Sequence, residues 1–169
     1  RMARDKELVI HPDFFSALKY YIPRISHVQT WLKRGHTQNE LTRFRCDVIF
    51  HVETKIEPVD RLLSLDWDRQ ELSISKICQF LQESHPECLR ITNITDARIF
   101  AEVKATEIIK SDRAPDTIEK LKEQLQQIPQ QQTVQPEDFW SLAQDLPYQV
   151  YITLSESMAA GKYDVILQH

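Results

Sequence analysis

Glycine is nearly missing from this chain: Gly35 and Gly161 are the only two in 169 residues. A nucleotide or cofactor cradle brings backbone close to phosphate or ribose, usually through several glycines that follow a strand. No GxGxG, GxGxxG or Walker pattern is present, so the chain carries no recognisable nucleotide-binding loop. Cysteine is scarce as well. Cys46, Cys78 and Cys88 are odd in number and follow no CxxC spacing. They indicate neither a disulfide framework nor a zinc site, and they fit a reduced, cytoplasmic setting. No apolar run approaches the ~18–20 residues of a membrane span, and the opening RMARDKELVI lacks a signal-peptide core. A basic excess is lacking too. The net charge of −4 argues against a nucleic-acid partner. No serine stands in a GxSxG elbow, which removes the commonest hydrolase arrangement.

What remains is a chain with 41% hydrophobic and 27% charged residues, enough apolar material for a sizeable core. Pro12 and the spacing of Phe14, Phe15, Leu18 and Ile22 predict a helix that ends before Pro23. Alternation predicts a strand over 25–33 and the β-forming residues of CDVIFHV a second over 43–52, close enough in sequence to pair antiparallel. A polar junction follows near Glu57-Pro58. The segment LLSLDW reads as a short strand, 71–83 as a helix, 89–94 as a strand and 97–109 as a helix. That βαβα rhythm suggests part of a parallel sheet. An amphipathic helix over 117–127 runs into the glutamine-rich QQIPQQQTVQ, read as an exposed loop. Pro136 opens another helix with acidic residues in its first turn. Strands over 148–154 and 162–168 close the chain around a loose hairpin, SESMAAG.

The densest cluster of polar groups lies in KRGHTQNELTRFR, residues 33–45, between the first two strands. A plain hairpin needs only a short glycine-containing turn. Here Asn39, Glu40, Arg43 and Arg45 crowd one connection. His27 and His51 are placed to face each other across the strand pair, but no acidic third ligand is spaced to complete a metal site, which favours structural histidines. Asp66-Trp67-Asp68 reads either as a metal-binding pair or as a strand end with a packed tryptophan. Phe139 and Trp140 read as core anchors.

Several stretches, in order, resemble one family: the S-adenosylmethionine-dependent methyltransferase domains embedded in nonribosomal peptide synthetases and polyketide synthases. NELTRFRCDVIFHV is similar to NELTxFRYDVVLHV, and ISHVQTWLKRG to ISHVEIxLKRG. KELVIHPDFF resembles EELLVDPxFF, and ITNITDARIFAEVK resembles ITxxPNARLxxEV. PEDFWSLAQDLPYQVYI is similar to PEDxWxLGxxLPYQVxI, and GKYDVILQH to a closing GxYDVVF. Two departures stand out. Cys46 replaces the aromatic of FRYDVV, and Thr95-Asp96-Ala97-Arg98 replaces PNAR.

The resemblance implies an α/β fold: the C-terminal half of a class I (Rossmann-like) methyltransferase, with antiparallel terminal strands plus a small α+β extension. Residues 1–56 would hold the terminal helix and strand pair of the core, and 57–169 the extension. It implies S-adenosylmethionine as cofactor, with the binding loop lying upstream of Arg1 and no cofactor-binding residue in this chain. The partners implied are the remainder of a megasynthase and a carrier protein with its tethered substrate. The alternative is a non-catalytic structural or docking domain derived from that fold, whose exposed strand edges would favour pairing with another chain.

Methyl transfer asks for positioning more than for strong acid–base groups. Asn39 and Glu40 could accept hydrogen bonds from a substrate amine, with Arg43 orienting the Glu40 carboxylate. The other reading is a turn asparagine beside a Glu40–Arg43 surface pair worth ~0–1 kcal/mol.

Overall fold

The computed structural model describes residues 9–55, 62–129, 133–155 and 160–169. Helix α1 (Pro12–Tyr21) begins where the fixed φ of proline suits a first helical position. His11 caps it, its Nδ1 accepting the Asp13 amide at 3.3 Å. Strands β1 (Ile25–Leu32) and β2 (Cys46–Val52) then pair antiparallel, with Val28 opposite Phe50 and Leu32 opposite Cys46. The expected second strand over 43–52 is shorter than its pattern. Arg43 and Phe44 belong to a one-turn helix, α2 (Glu40–Phe44), because Asn39 and Thr42 supply a complete capping box just before them.

The remaining elements follow the expected order with small boundary shifts. They are β3 (Leu62–Asp66), α3 (Ile74–Ser84), β4 (Cys88–Asp96), α4 (Phe100–Lys110), α5 (Ile118–Gln127), β5 (Thr133–Val134), α6 (Pro136–Leu142), β6 (Gln149–Leu154) and β7 (Lys162–Gln168). Helix α4 starts later than read, since Asp96 still belongs to β4 and 97–99 form the turn between them. Part of the glutamine-rich stretch is strand: Thr133 and Val134 pair parallel with Thr95 and Asp96. The junction at Glu57-Pro58, the boundary at 56/57 and the middle of SESMAAG lie outside the described residues.

The seven strands among the described residues form one sheet in the order β2-β1-β6-β7-β4-β3, with β5 on β4. It is mostly antiparallel, and the part of a parallel sheet that the βαβα rhythm suggested is present at β3–β4. Parallel pairing is confined to β3–β4 and β4–β5. The reason is connection length: parallel neighbours need a crossover, and helices supply it only there. α3 bridges the first pair, α4 and α5 the second. The fold is thus a mixed α/β arrangement. No helix among the described residues is long and apolar enough to cross a membrane.

Among the described residues the buried apolar cluster runs from Trp67 onward, with Leu32 of β1 packed against it. Phe139 is fully buried, with its ring 5.9 Å from Trp67 and 6.3 Å from Tyr163, both edge-on. Ile77, Leu81, Ile91, Val165 and Leu167 belong to the same cluster. Thr42 is the one buried residue among those described from 9 to 55. The β1–β2 ribbon joins the main sheet through a single register pair, Trp31 with Thr153.

Candidate functional site

The polar connection 33–45 is a folded object rather than a loose turn. The Asn39 side-chain oxygen accepts the amides of Leu41 at 2.9 Å and Thr42 at 3.1 Å, which satisfies two of the donors that a helix start leaves open. The Thr42 hydroxyl donates to the Thr37 carbonyl at 2.6 Å, and the Asn39 amide donates back to that hydroxyl at 3.2 Å. Across the strand pair, Lys33 meets Asp47.

The turn after β4 and helices α4 and α6 grip this connection from outside. Arg98, in the turn after β4, is 5% exposed and holds Asp96 through Nε and Nη2, the latter at 2.7 Å. Its remaining donor, Nη1, bonds the carbonyls of Lys33 at 3.0 Å and Thr42 at 2.7 Å, one at each end of the connection. Arg43 reciprocates. Its Nε donates to the Arg98 carbonyl at 2.8 Å, and its Nη2 pairs with Glu102 of α4. From α6, Glu137 accepts Arg34 Nη2 at 2.9 Å and the Gly35 amide at 3.1 Å, while the Arg34 guanidinium sits 4.9 Å from the Trp140 ring centre.

These contacts tune two carboxylates. Burial pushes Glu137 up, but the bonds from Arg34 and the Gly35 amide, with the charges of Arg34 and His36, outweigh it and hold the group below the ordinary glutamate value. Glu102 behaves alike: burial raises it, and the Arg43 hydrogen bond, its own amide and the Arg43 charge bring it below. Burial and the neighbouring Asp47 charge raise the Cys46 thiol, against a smaller opposing pull from Lys33.

A pocket of about 400 Å³ opens beside the gripped connection. Its walls come from the start of α1 (His11, Asp13), from Arg43 to Cys46, from Asp96 and Ile99, and from the facing ends of β6 and β7. A second cleft, about 550 Å³, lies behind Phe44, Arg45 and Cys46 and is lined by Glu40, Val9 and Phe15. Phe44, Arg45 and Cys46 are therefore a shared partition. A third cleft, about 660 Å³, presents Trp31, Trp140, Tyr148 and Tyr151.

The sequence candidates divide accordingly. Arg43 lines the first pocket and Glu40 the second, so they do not act on one face. The proposed orientation of Glu40 by Arg43 is corrected: Arg43 is turned toward Glu102, and the Glu40 carboxylate meets Arg45 at 3.3 Å. The turn reading of Asn39 matches its capping role. Asp96, Arg98, Glu102 and Glu137 were not singled out by sequence reasoning. The one signal for Arg98 was its place in the ITDAR word.

His27 and His51 do face each other, ring centres 5.7 Å apart, with His51 Nε2 2.9 Å from Gln29 Oε1. Asp66 ends β3 with its carboxylate bonded by the Arg69 amide and by Asn93, and Trp67 packs into the core. Among the described residues no three His, Cys, Asp or Glu side chains gather in a metal-holding group.

No protein-family model matches the chain. Chondramide synthase from Chondromyces crocatus is 26% identical over 167 residues, 96% of this chain and 4% of that protein. Cyclosporin synthetase from Tolypocladium inflatum is 23% identical, covering 98% of this chain and 1% of that protein. A probable non-canonical nonribosomal peptide synthetase from Salinispora arenicola is 31% identical over 101 residues, 60% of this chain and 1% of its own length. The chain thus spans a few per cent or less of these relatives. Over most of its own length it is similar to a small portion of the large synthetases that build nonribosomal peptides.

Proposed function

We propose that this chain is the C-terminal part of a methyltransferase domain that works within nonribosomal peptide biosynthesis on a carrier-tethered intermediate. In this reading the connection 33–45 is the substrate-side wall, and the β1–β2 ribbon is the terminal strand pair of the methyltransferase core. The observation that carries the reading is the rigid fixing of that connection beside a 400 Å³ pocket, in the very segment where the NELTRFR resemblance is strongest. In the β1–β2 ribbon and helix α1 no apolar side chain is fully buried, as expected of elements with a packing partner in a larger protein. The relatives are large synthetases of which this chain matches a few per cent, which supports a part within a megasynthase.

The residues present do not fit S-adenosylmethionine. A Cβ on Gly161 would stand 2.7 Å from Val103, and one on Gly35 would stand 3.1 Å from Thr42. Both glycines face protein, and neither opens a cradle for a ligand. In the proposed reading the cofactor is held by other parts of the domain, and these residues contribute binding and orientation. The pocket mixes charged side chains (Asp13, Arg43, Arg45, Asp96, Lys162) with apolar ones (Leu32, Phe44, Ile99, Leu154), a lining suited to a substrate with both polar and apolar parts.

Calorimetric titration of S-adenosylmethionine tests the reading. No binding to residues 1–169, with micromolar binding and methylation of a carrier-bound aminoacyl thioester by the longer parent protein, is the expected result. Micromolar binding to this chain alone would overturn the division of labour. Absence of binding in both would leave a structural domain.

A further inference from the structure

We propose that the Asp96–Arg98 pair is a latch: it holds both ends of the 33–45 connection against the main sheet and so sets the shape of the pocket beside it. The inference takes its functional meaning from the wall reading above, but its test does not depend on methyl transfer.

Besides Arg98, the β1–β2 ribbon and its connection are held by Trp31 against Tyr151, by the partly buried Leu32 against the core, and by the bonds to Glu137 and Glu102. The ribbon has no fully buried apolar residue, and one register pair ties it to β6. A two-stranded ribbon of that kind is marginal by itself. Arg98 answers this with a planar guanidinium that carries out two tasks at once. One edge is locked on Asp96, which fixes the rotamer. The other edge delivers Nη1 to the Lys33 and Thr42 carbonyls. A fixed donor aimed at two carbonyls specifies their separation, and hence the height of the single turn α2. Both charges are shielded from water, side chains 4% exposed each, so the pair acts as an anchor and not as a surface decoration. Lysine cannot copy this geometry, because its point charge cannot bracket a carboxylate and reach two carbonyls together.

The pocket wall moves with the latch. Arg43 to Cys46 directly follow Thr42, and Asp96 itself lines the same pocket. Cys46 is half-buried there and reports on the wall. Cys88 is buried elsewhere, on β4, and reports on the core.

The test uses thiol labelling of Cys46 and Cys88, read by mass spectrometry, together with amide exchange over 33–45. In Arg98→Lys, Cys46 should react about tenfold faster, from loss of two charge-assisted hydrogen bonds, and the 33–45 amides should exchange faster. Cys88 should stay slow and the far-ultraviolet spectrum unchanged. Unchanged Cys46 labelling and unchanged loop exchange in that folded variant would overturn the latch. Should Arg98→Lys expose Cys88 equally, Arg43→Gln decides. It removes only the outer arm of the grip, and should accelerate Cys46 alone by a smaller factor; equal rates to the parent would refute the proposal. In the longer parent protein, accelerated Cys46 without any methyl transfer in the unsubstituted form would sink the methyltransferase reading and leave the latch standing. Methyl transfer that is lost in Arg98→Lys with Cys46 still protected would do the reverse.

Discussion

Glu137 and Gly35 lie 102 positions apart, and the carboxylate of the first accepts the backbone amide of the second at 3.1 Å. Gly35 sits at φ +138, a region that side chains rarely enter, so its amide points where other residues would not easily send it. The bond ties the start of the polar connection to α6, and with Arg34 it makes Glu137 the acidic counterpart of the Arg98 grip.

Acid should loosen that grip before it attacks the core. Glu137 and Glu102 both have folded values below the ordinary one. A lowered folded pKa means that the unfolded chain takes up protons first. The stability these groups add is therefore fully present above pH ~4.3 and drains as pH falls through their depressed values. Thermal melts from pH 7 to pH 3 should show this slope, and Glu137→Gln with Glu102→Gln should flatten it. An unchanged slope in the double variant would show that other carboxylates govern the acid limb.

Asn39→Ala should act locally. It removes the acceptor of two amides at the start of α2, a loss of about 1 kcal/mol for an N-cap. Exchange of the Leu41 and Thr42 amides should quicken about fivefold, while the melting of the main sheet barely moves. Asn39→Asp keeps an acceptor and should restore protection.

Phe139→Ala and Phe14→Ala should differ sharply although both remove a phenyl ring. Phe139 is fully buried between Trp67 and Tyr163, and its loss should cost about 3–5 kcal/mol in urea denaturation. Phe14 is about half exposed, and its loss should stay within ~1 kcal/mol. Comparable losses would mean that α1 packs more firmly than its exposure indicates.

Gly161→Ala should destabilise for two separable reasons. The φ of +74 costs a residue with a side chain roughly 1–2 kcal/mol, and the new Cβ would meet Val103 at 2.7 Å. A double-mutant cycle with Val103→Ala should recover the contact part and leave the backbone part. Full additivity would show that α4 yields freely to the added methyl.

Much of the secondary structure was legible because each signal is local. Pro12 and Pro136 marked helix starts, alternation marked β1 and β6, β-forming residues marked β2, and the sequence placed His27 opposite His51. The start of β2 was misread at Arg43 because the capping chemistry of Asn39 and Thr42 outcompetes a strand pattern by only a few residues. The βαβα rhythm marked the parallel β3–β4 pair, but such a rhythm fixes only those neighbours that its own helices cross, so the antiparallel remainder of the sheet was not legible from it.

The sequence by itself determined which elements form, that no glycine-rich cradle is among them, and that the polar groups concentrate at 33–45. Those properties depend on residue type and spacing within a few positions of each other. Only the tertiary structure decided which partners those groups take. It turned Arg43 to Glu102 instead of Glu40, and it brought Arg98 to Thr42 from 56 positions away. It also brought Glu137 under Gly35. A buried guanidinium or carboxylate must satisfy its donors and acceptors wherever the packed sheet delivers them, and sequence neighbourhood does not specify that delivery.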